Sequence, residues 1–141
     1  MSFCSSLDIV GSALTAERFR TDIITQNIAN EKTTKTSNGE PYRRQLVVFE
    51  EIPLKFSDEL DKAKLGGVRV ADVIKSDADF KLIYDPTNPD ANAEGYVQSS
   101  NVDTTEEQVD LLAASNAYEA NLTALSVVKA MINKTIEMGN K

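Results

Sequence analysis

One uninterrupted stretch, Asp103 to Gly139 (DTTEEQVDLLAASNAYEANLTALSVVKAMINKTIEMG), limits what this chain can fold into more than any other. Thr104 with Glu107 three residues on predicts a capping box, in which each side chain satisfies a backbone N–H left unpaired by the first helical turn. Asp103, Glu106, Glu107 and Asp110 gather negative charge at this end, and Lys129 and Lys134 fall in the last third, the order that complements a helix dipole. No Pro or Gly interrupts the run before Gly139. Leu111, Ala114, Tyr118, Leu125, Val128 and Ile132 recur at heptad-like spacing with Asn121 as the polar exception, and Val109, Leu112, Leu122, Met131 and Ile136 are expected to widen that seam. A helix from about 106 to 138 would be on the order of 50 Å long. A domain of this size cannot cover it, so it must find partners within the chain and beyond it.

The first partner is residues 5 to about 30, where Ser5 is a candidate cap and Asp8 sits in the first turn. Leu7, Val10, Leu14, Ile24 and Ile28 fall at three- and four-residue steps, with Ile9, Ala13, Ala16 and Ile23 broadening the face. Glu31 to Pro41 loses its apolar residues, and Asn38-Gly39 marks a turn. The period then changes: Tyr42–Phe49, Val68–Ile74 and Phe80–Tyr84 read as strands, with Tyr96-Val97 as a short edge strand. A short helical piece is expected around Asp58 to Lys64. Asp85-Pro86 and Asn88-Pro89 bracket a turn, because each Pro excludes its predecessor from helical geometry. The fold class is therefore α+β: long N- and C-terminal helices paired as an antiparallel, coiled-coil-like hairpin, with a small antiparallel β domain of three or four strands between them. The division runs 1–30, 31–103 and 104–141.

The chemistry available is thin. Lys+Arg 15 against Asp+Glu 22 gives a net charge of −7, which argues against a nucleic-acid partner. There is no His and no Trp, and the lone Cys4 has no partner for an internal disulfide. Without His the commonest general base and metal ligand are missing. No apolar run reaches the ~20 residues of a bilayer span, so no membrane insertion is expected. The N-terminus also lacks the basic start and apolar block of a cleavable signal. Glu50-Glu51 and Glu106-Glu107 are adjacent carboxylates, read here as solvated surface and a helix N-terminus. The run Asp85, Asn88, Asp90, Asn92, Glu94 has calcium-loop oxygens, but Pro86 and Pro89 stand in the wrong places for one. Asn121-Leu-Thr123 and Asn133-Lys-Thr135 match a glycosylation triplet inside the long helix, where chance accounts for them. No catalytic site, metal site, cofactor or small-molecule substrate is expected.

Particular strings are sharper. Gln26-Asn27-Ile28-Ala29-Asn30 with Thr33 and Thr34 resembles the Asn-x-Ala-Asn-x-x-Thr motif of bacterial flagellar rod and hook proteins. Gly39-Glu40-Pro41-Tyr42-Arg43-Arg44, Tyr84-Asp85-Pro86, Ala91-Asn92-Ala93-Glu94-Gly95-Tyr96-Val97, Asn101-Val102-Asp103, Tyr118-Glu119-Ala120-Asn121, Lys129-Ala130-Met131 and Met138-Gly139 follow in order. The set is similar to a proximal-rod member of that family nearly from end to end. Glu31 stands where the first motif usually has Ala, and Asn116 where a basic residue often precedes Tyr-Glu-Ala-Asn.

The resemblance implies a structural subunit of the basal-body rod, which transmits torque from the inner-membrane ring to the distal rod and hook. Such a protein leaves the cell unfolded through the flagellar type III export apparatus, without a cleaved signal peptide, and assembles helically in the periplasm. Its implied partners are other rod proteins and copies of itself, with ring and export-gate proteins nearby. Inner-tube contacts would involve Leu7, Val10, Leu14, Ile24, Asn27, Ile28 and Asn30 of the first helix, and Leu111, Tyr118, Asn121, Leu125, Val128 and Ile132 of the second. Two other readings stay open on sequence: a secreted helical module binding one partner as a discrete complex, and an acid–base hydrolase built on Glu50, Glu51, Asp85 and Asp90.

Overall fold

The computed structural model describes residues 3–52 and 66–139. In chain order the elements are α1 (Phe3–Ala29), β1 (Gln45–Glu51), β2 (Val68–Lys75), β3 (Lys81–Tyr84), β4 (Tyr96–Ser99) and α2 (Thr104–Gly139). The α+β class is as expected. The helical piece expected around 58–64 lies outside the described residues.

Both helices are rich in Ser and Thr, which are poor helix formers because their hydroxyls compete for backbone groups. Here the competition is settled inside the helix. Ser12, Thr15, Thr21 and Thr25 in α1, and Thr123, Ser126 and Thr135 in α2, each donate to a carbonyl three or four residues back. The helices run antiparallel: Asn27, near the end of α1, bonds Glu107 in the first turn of α2, and Arg20 lies 3.7 Å from Asp110. Ala16 and Ile24 of α1 and Ala114 of α2 are buried.

The start of α2 differs from the capping-box expectation. The cap is Asp103, whose Oδ1 accepts from the N–H groups of Thr105 (2.9 Å) and Glu106 (3.4 Å). The Thr104 hydroxyl is buried without a hydrogen-bond partner among the described residues, and Glu107 turns inward instead of back toward the cap. Both Asp103 and Thr104 are capping types, and the tertiary demand on Glu107 decides between them. In α1 the helix begins at Phe3, so Ser5 falls inside the first turn and does not precede it.

The strands form two separate two-stranded antiparallel sheets, β1-β2 and β3-β4, in place of one sheet of three or four. In the first, Leu46 pairs with Ile74 and Val47 with Val73, and a bulge falls between Val48 and Phe49. The side chains of Val47, Phe49, Val70 and Val73 are half-buried, while Leu46, Val48 and Ile74 are exposed. This sheet packs on α1. Its approach is close at Gly67, where an added Cβ would stand 2.5 Å from Ser12 Oγ. The chain between β2 and β3 is then diverted. The carbonyls of Ser76 and Ala78 accept from Asn101 and Arg43, so β3 turns away to pair with β4. The β3-β4 turn is held by Asp85, Asn88 and Asn92, whose side-chain oxygens accept backbone N–H groups two to four residues on. Those are the oxygens that had suggested a calcium loop. Among the described residues no cluster of three metal-ligating side chains occurs. Nor is any described helix long and apolar enough to cross a membrane.

Candidate functional site: a polar joint and an outward apolar face

Where α1 ends, α2 begins and β1 enters, the molecule buries polar groups instead of apolar ones. Asn27 is 1% exposed and makes four hydrogen bonds. Its amide donates to the Gln45 carbonyl (2.9 Å) and Glu107 Oε2 (3.0 Å), and its oxygen accepts from Tyr42 O–H (2.9 Å) and Gln45 N–H (3.0 Å). Asn within a helix is costly by propensity, even in the last turn of α1 where Asn27 sits. This one is used in full as a tertiary connector.

Glu107, also 1% exposed, takes its second bond from Arg44 Nε at 2.5 Å. The same guanidinium reaches Glu106 (3.0 Å) and Asp110 (2.9 Å), so one arginine spans three carboxylates on the first two turns of α2. Burial alone would pull the Arg44 pKa down. The Glu107 charge and the hydrogen bonds to Glu106 and Glu107 outweigh it and hold the group above its usual value. Burial, then the nearby Glu107 charge, push the Tyr42 hydroxyl up and keep it protonated. Arg44 is itself fixed: its N–H donates to Asn101 Oδ1 at 2.7 Å. A cleft of about 280 Å³ opens beside the joint, lined by Arg20, Ile23, Arg44, Phe49 and Asp110 among others.

The sequence-expected residues separate into three groups. Asn27, expected at a subunit interface, is buried within the chain and spends all four bonds on its own fold. Ile24 is likewise buried. Leu7, Val10, Leu14, Ile28, Leu111, Tyr118, Asn121, Leu125, Val128 and Ile132 are half-buried, and Asn30, also half-buried, donates to the Gln26 carbonyl while accepting from Thr33. The residues expected to widen the seam do not. Val109 (64% exposed), Leu112 (63%) and Met131 (54%) stand in solvent, joined by Val127 and Met138. Among the described elements α2 packs on α1 alone. Steps of four and seven residues place Val127, Met131 and Met138 along a second stripe, off the α1 seam.

Sequence reasoning missed Arg44 and Glu107. Glu107 was read as the capping-box partner of Thr104 and, with Glu106, as part of a helix N-terminus; Glu106 is exposed, but Glu107 is buried. The available signal was Arg44 itself, a cation placed directly before an apolar strand with no acidic residue within five positions after it.

Comparison with known proteins agrees along the whole chain. A family model described as the flagellar basal body rod FlgEFG protein C-terminal matches residues 93–138, which include β4 and nearly all of α2. A flagellar basal-body rod protein FlgC of Bacillus subtilis (strain 168) is 45% identical over 149 aligned positions, covering 99% of each chain. The FlgC of Escherichia coli O6:H1 is 42% identical with the same coverage. That of Borreliella burgdorferi is 40% identical over 96% of this chain and 97% of its own.

Proposed function

The chain belongs to the flagellar basal-body rod protein FlgC family, and from that premise we propose that it is a structural subunit of the basal-body rod, assembling with other rod proteins. The single observation that carries this is identity of 45% spread over 99% of both chains. A discrete secreted module is not favoured by relatives matched from end to end, and a rod role needs no catalysis.

The finer reading is that residues 1–30 and 104–141 form the inner wall of the rod and 31–103 its outer part, in a helical array in the periplasm. Placement in the proximal rod, next to the inner-membrane ring and export gate, and delivery by type III export without a cleaved signal belong to the same proposal. The seam residues, Leu7, Val10, Leu14, Leu111, Tyr118, Leu125, Val128 and Ile132 among them, hold the helix pair. The outward stripe of Val127, Met131 and Met138 supplies area to a neighbouring subunit. A shaft that carries torque needs many simultaneous contacts between different patches of successive subunits, and exposed apolar area on a long helix is suited to that.

Electron microscopy of detergent-extracted basal bodies is the direct test, with the chain expected inside the rod. Val127→Asp combined with Met131→Asp should leave expression and helix content unchanged while rods and swimming are lost. Normal swimming in that double variant would overturn the role given to the stripe, and basal bodies whose rods lack the chain would overturn the reading as a whole.

A further inference from the structure

The apolar seam between α1 and α2 does not by itself decide how far along each other the two helices sit. They run antiparallel and meet at Asn27 with Glu107 and at Arg20 with Asp110. Counting one residue forward along α2 for each residue back along α1 sets Glu17 opposite the turn that carries Ala114. Leu14 then falls opposite the turn of Tyr118, Val10 opposite that of Asn121 and Leu7 opposite that of Leu125. Sliding α2 by one heptad, on the order of 10 Å, brings Leu14 to Leu125, Val10 to Val128 and Leu7 to Ile132. The seam stays apolar in both positions. The slide also brings Glu17 to Asn121. In the observed register Glu17 Oε2 is shut away from water with no hydrogen-bond partner among the described residues, a cost that the Asn121 amide would remove. On its seam alone the pair would settle a heptad away.

What opposes the slide lies at the joint. Glu107 accepts from the Asn27 amide and from Arg44, and a shift of seven residues would put Ala114 in its place, leaving both donors without that acceptor. Arg44 cannot follow, because its N–H is tied to Asn101, whose amide is fixed on the carbonyls of Ser76 and Ala78. We infer that this joint is a register pin: the contacts of Asn27, Arg44 and Glu107 select one of two helix registers that the seam accepts, against the one that would satisfy Glu17. A buried polar contact used in this way specifies alignment at a cost in stability. The register fixes how far the end of α2 runs past the start of α1, and with it the distance from Met131 and Met138 to the β region. The inference stands apart from the rod reading, since it concerns contacts within one chain.

Cross-links inside one full-length chain, formed in intact cells with a short thiol-reactive reagent and Cys4→Ser in every variant, test this. Leu14→Cys with Tyr118→Cys reports the observed register, and Leu14→Cys with Leu125→Cys the slipped one. With Arg44 present the 14–118 link should dominate. Arg44→Met should shift the ratio of the two links toward 14–125 on the order of 100-fold, the scale set by breaking a buried pair. Arg69→Met, which removes an equally large cation from the exposed pair with Glu50, should leave the ratio unchanged. Adding Glu17→Ala to R44M should bring the ratio back toward 14–118, because the slipped register no longer gains the pairing with Asn121. The inference is overturned if Arg44→Met leaves 14–118 dominant, or if it abolishes both links, which would make the joint a clamp and not a pin. It is equally overturned if both links form alike with Arg44 present, or if Glu17→Ala leaves the R44M ratio where it was.

Discussion

Asn27 shows how much one side chain can hold. It satisfies two donors and two acceptors across three segments, so truncation leaves buried groups on Tyr42, Gln45 and Glu107 unpaired. Asn27→Ala is expected to cost about 3 kcal/mol in urea unfolding, from the penalty of burying polar groups unsatisfied. Asn27→Asp should cost at least as much, because it loses the donors and sets a second carboxylate beside Glu107. Asp103 acts in a way visible through pH. The Thr105 and Glu106 N–H groups, and then the Lys81 charge, hold its carboxyl below the ordinary range. The folded value is depressed, so the stabilisation is complete above the unfolded value of ~3.9 and is lost as pH falls through the lower folded one. Thermal melts across acid pH should show a shallower decline for Asp103→Asn than for the unaltered chain. Neither the role of Asn27 nor that of Glu107 was readable at its own position. Asn27 sits within a motif that marks it without explaining it, and Glu107 fits a capping box that does not form. Local patterns fix which groups could bond, and tertiary approach fixes which do.

At the scale of elements, both helices and all four strands were legible, because apolar spacing at 3.6 and 2 residues survives any tertiary context. The C-terminal helix was placed within two residues of its observed ends. Strand pairing was not legible. The division into two sheets depends on Asn101 and Arg43 capturing carbonyls more than twenty residues away, and no periodicity carries that. Val109, Leu112, Leu122, Met131 and Ile136 were expected to widen the seam and are exposed for a related reason: spacing gives faces but not which face meets a neighbour. The β3-β4 hairpin offers a test confined to one element. Gly95 has φ 82° and an added Cβ would stand 2.9 Å from the Tyr84 ring. Gly95→Ala is expected to cost about 1–2 kcal/mol from the left-handed backbone and the clash. The exchange protection of residues 81–84 and 96–99 should drop, with 106–114 much less affected.

The whole molecule spreads a modest core over a long frame. Among the described residues its buried apolar side chains are few: Ala16, Ile24, Tyr42, Val97, Val102 and Ala114. An isolated chain of this kind should melt at or below the ~45–65 °C typical of mesophilic domains. Its midpoint should rise when it is incorporated into rods, since binding to the folded state alone adds stability. An isolated chain melting well above that band would mean that the helix pair needs no neighbour. The two ends of the frame are also unequal. α2 is 36 residues against 27 in α1, and pinning Asn27 to Glu107 sends the excess of about 13 Å past the start of α1, where Ile136 and Met138 are exposed.

The β3-β4 hairpin packs on neither helix nor on the β1-β2 sheet, and its turn from Asp85 to Gly95 is held mostly by its own side chains, with Asp90 reaching out to Thr34 and Lys35. An epitope or a fluorophore attached at exposed Thr87 would sit on this turn, outside the residues of the joint and of the outward stripe of α2. The rod could then be watched as it is built, through a reporter fastened where the molecule has least to lose.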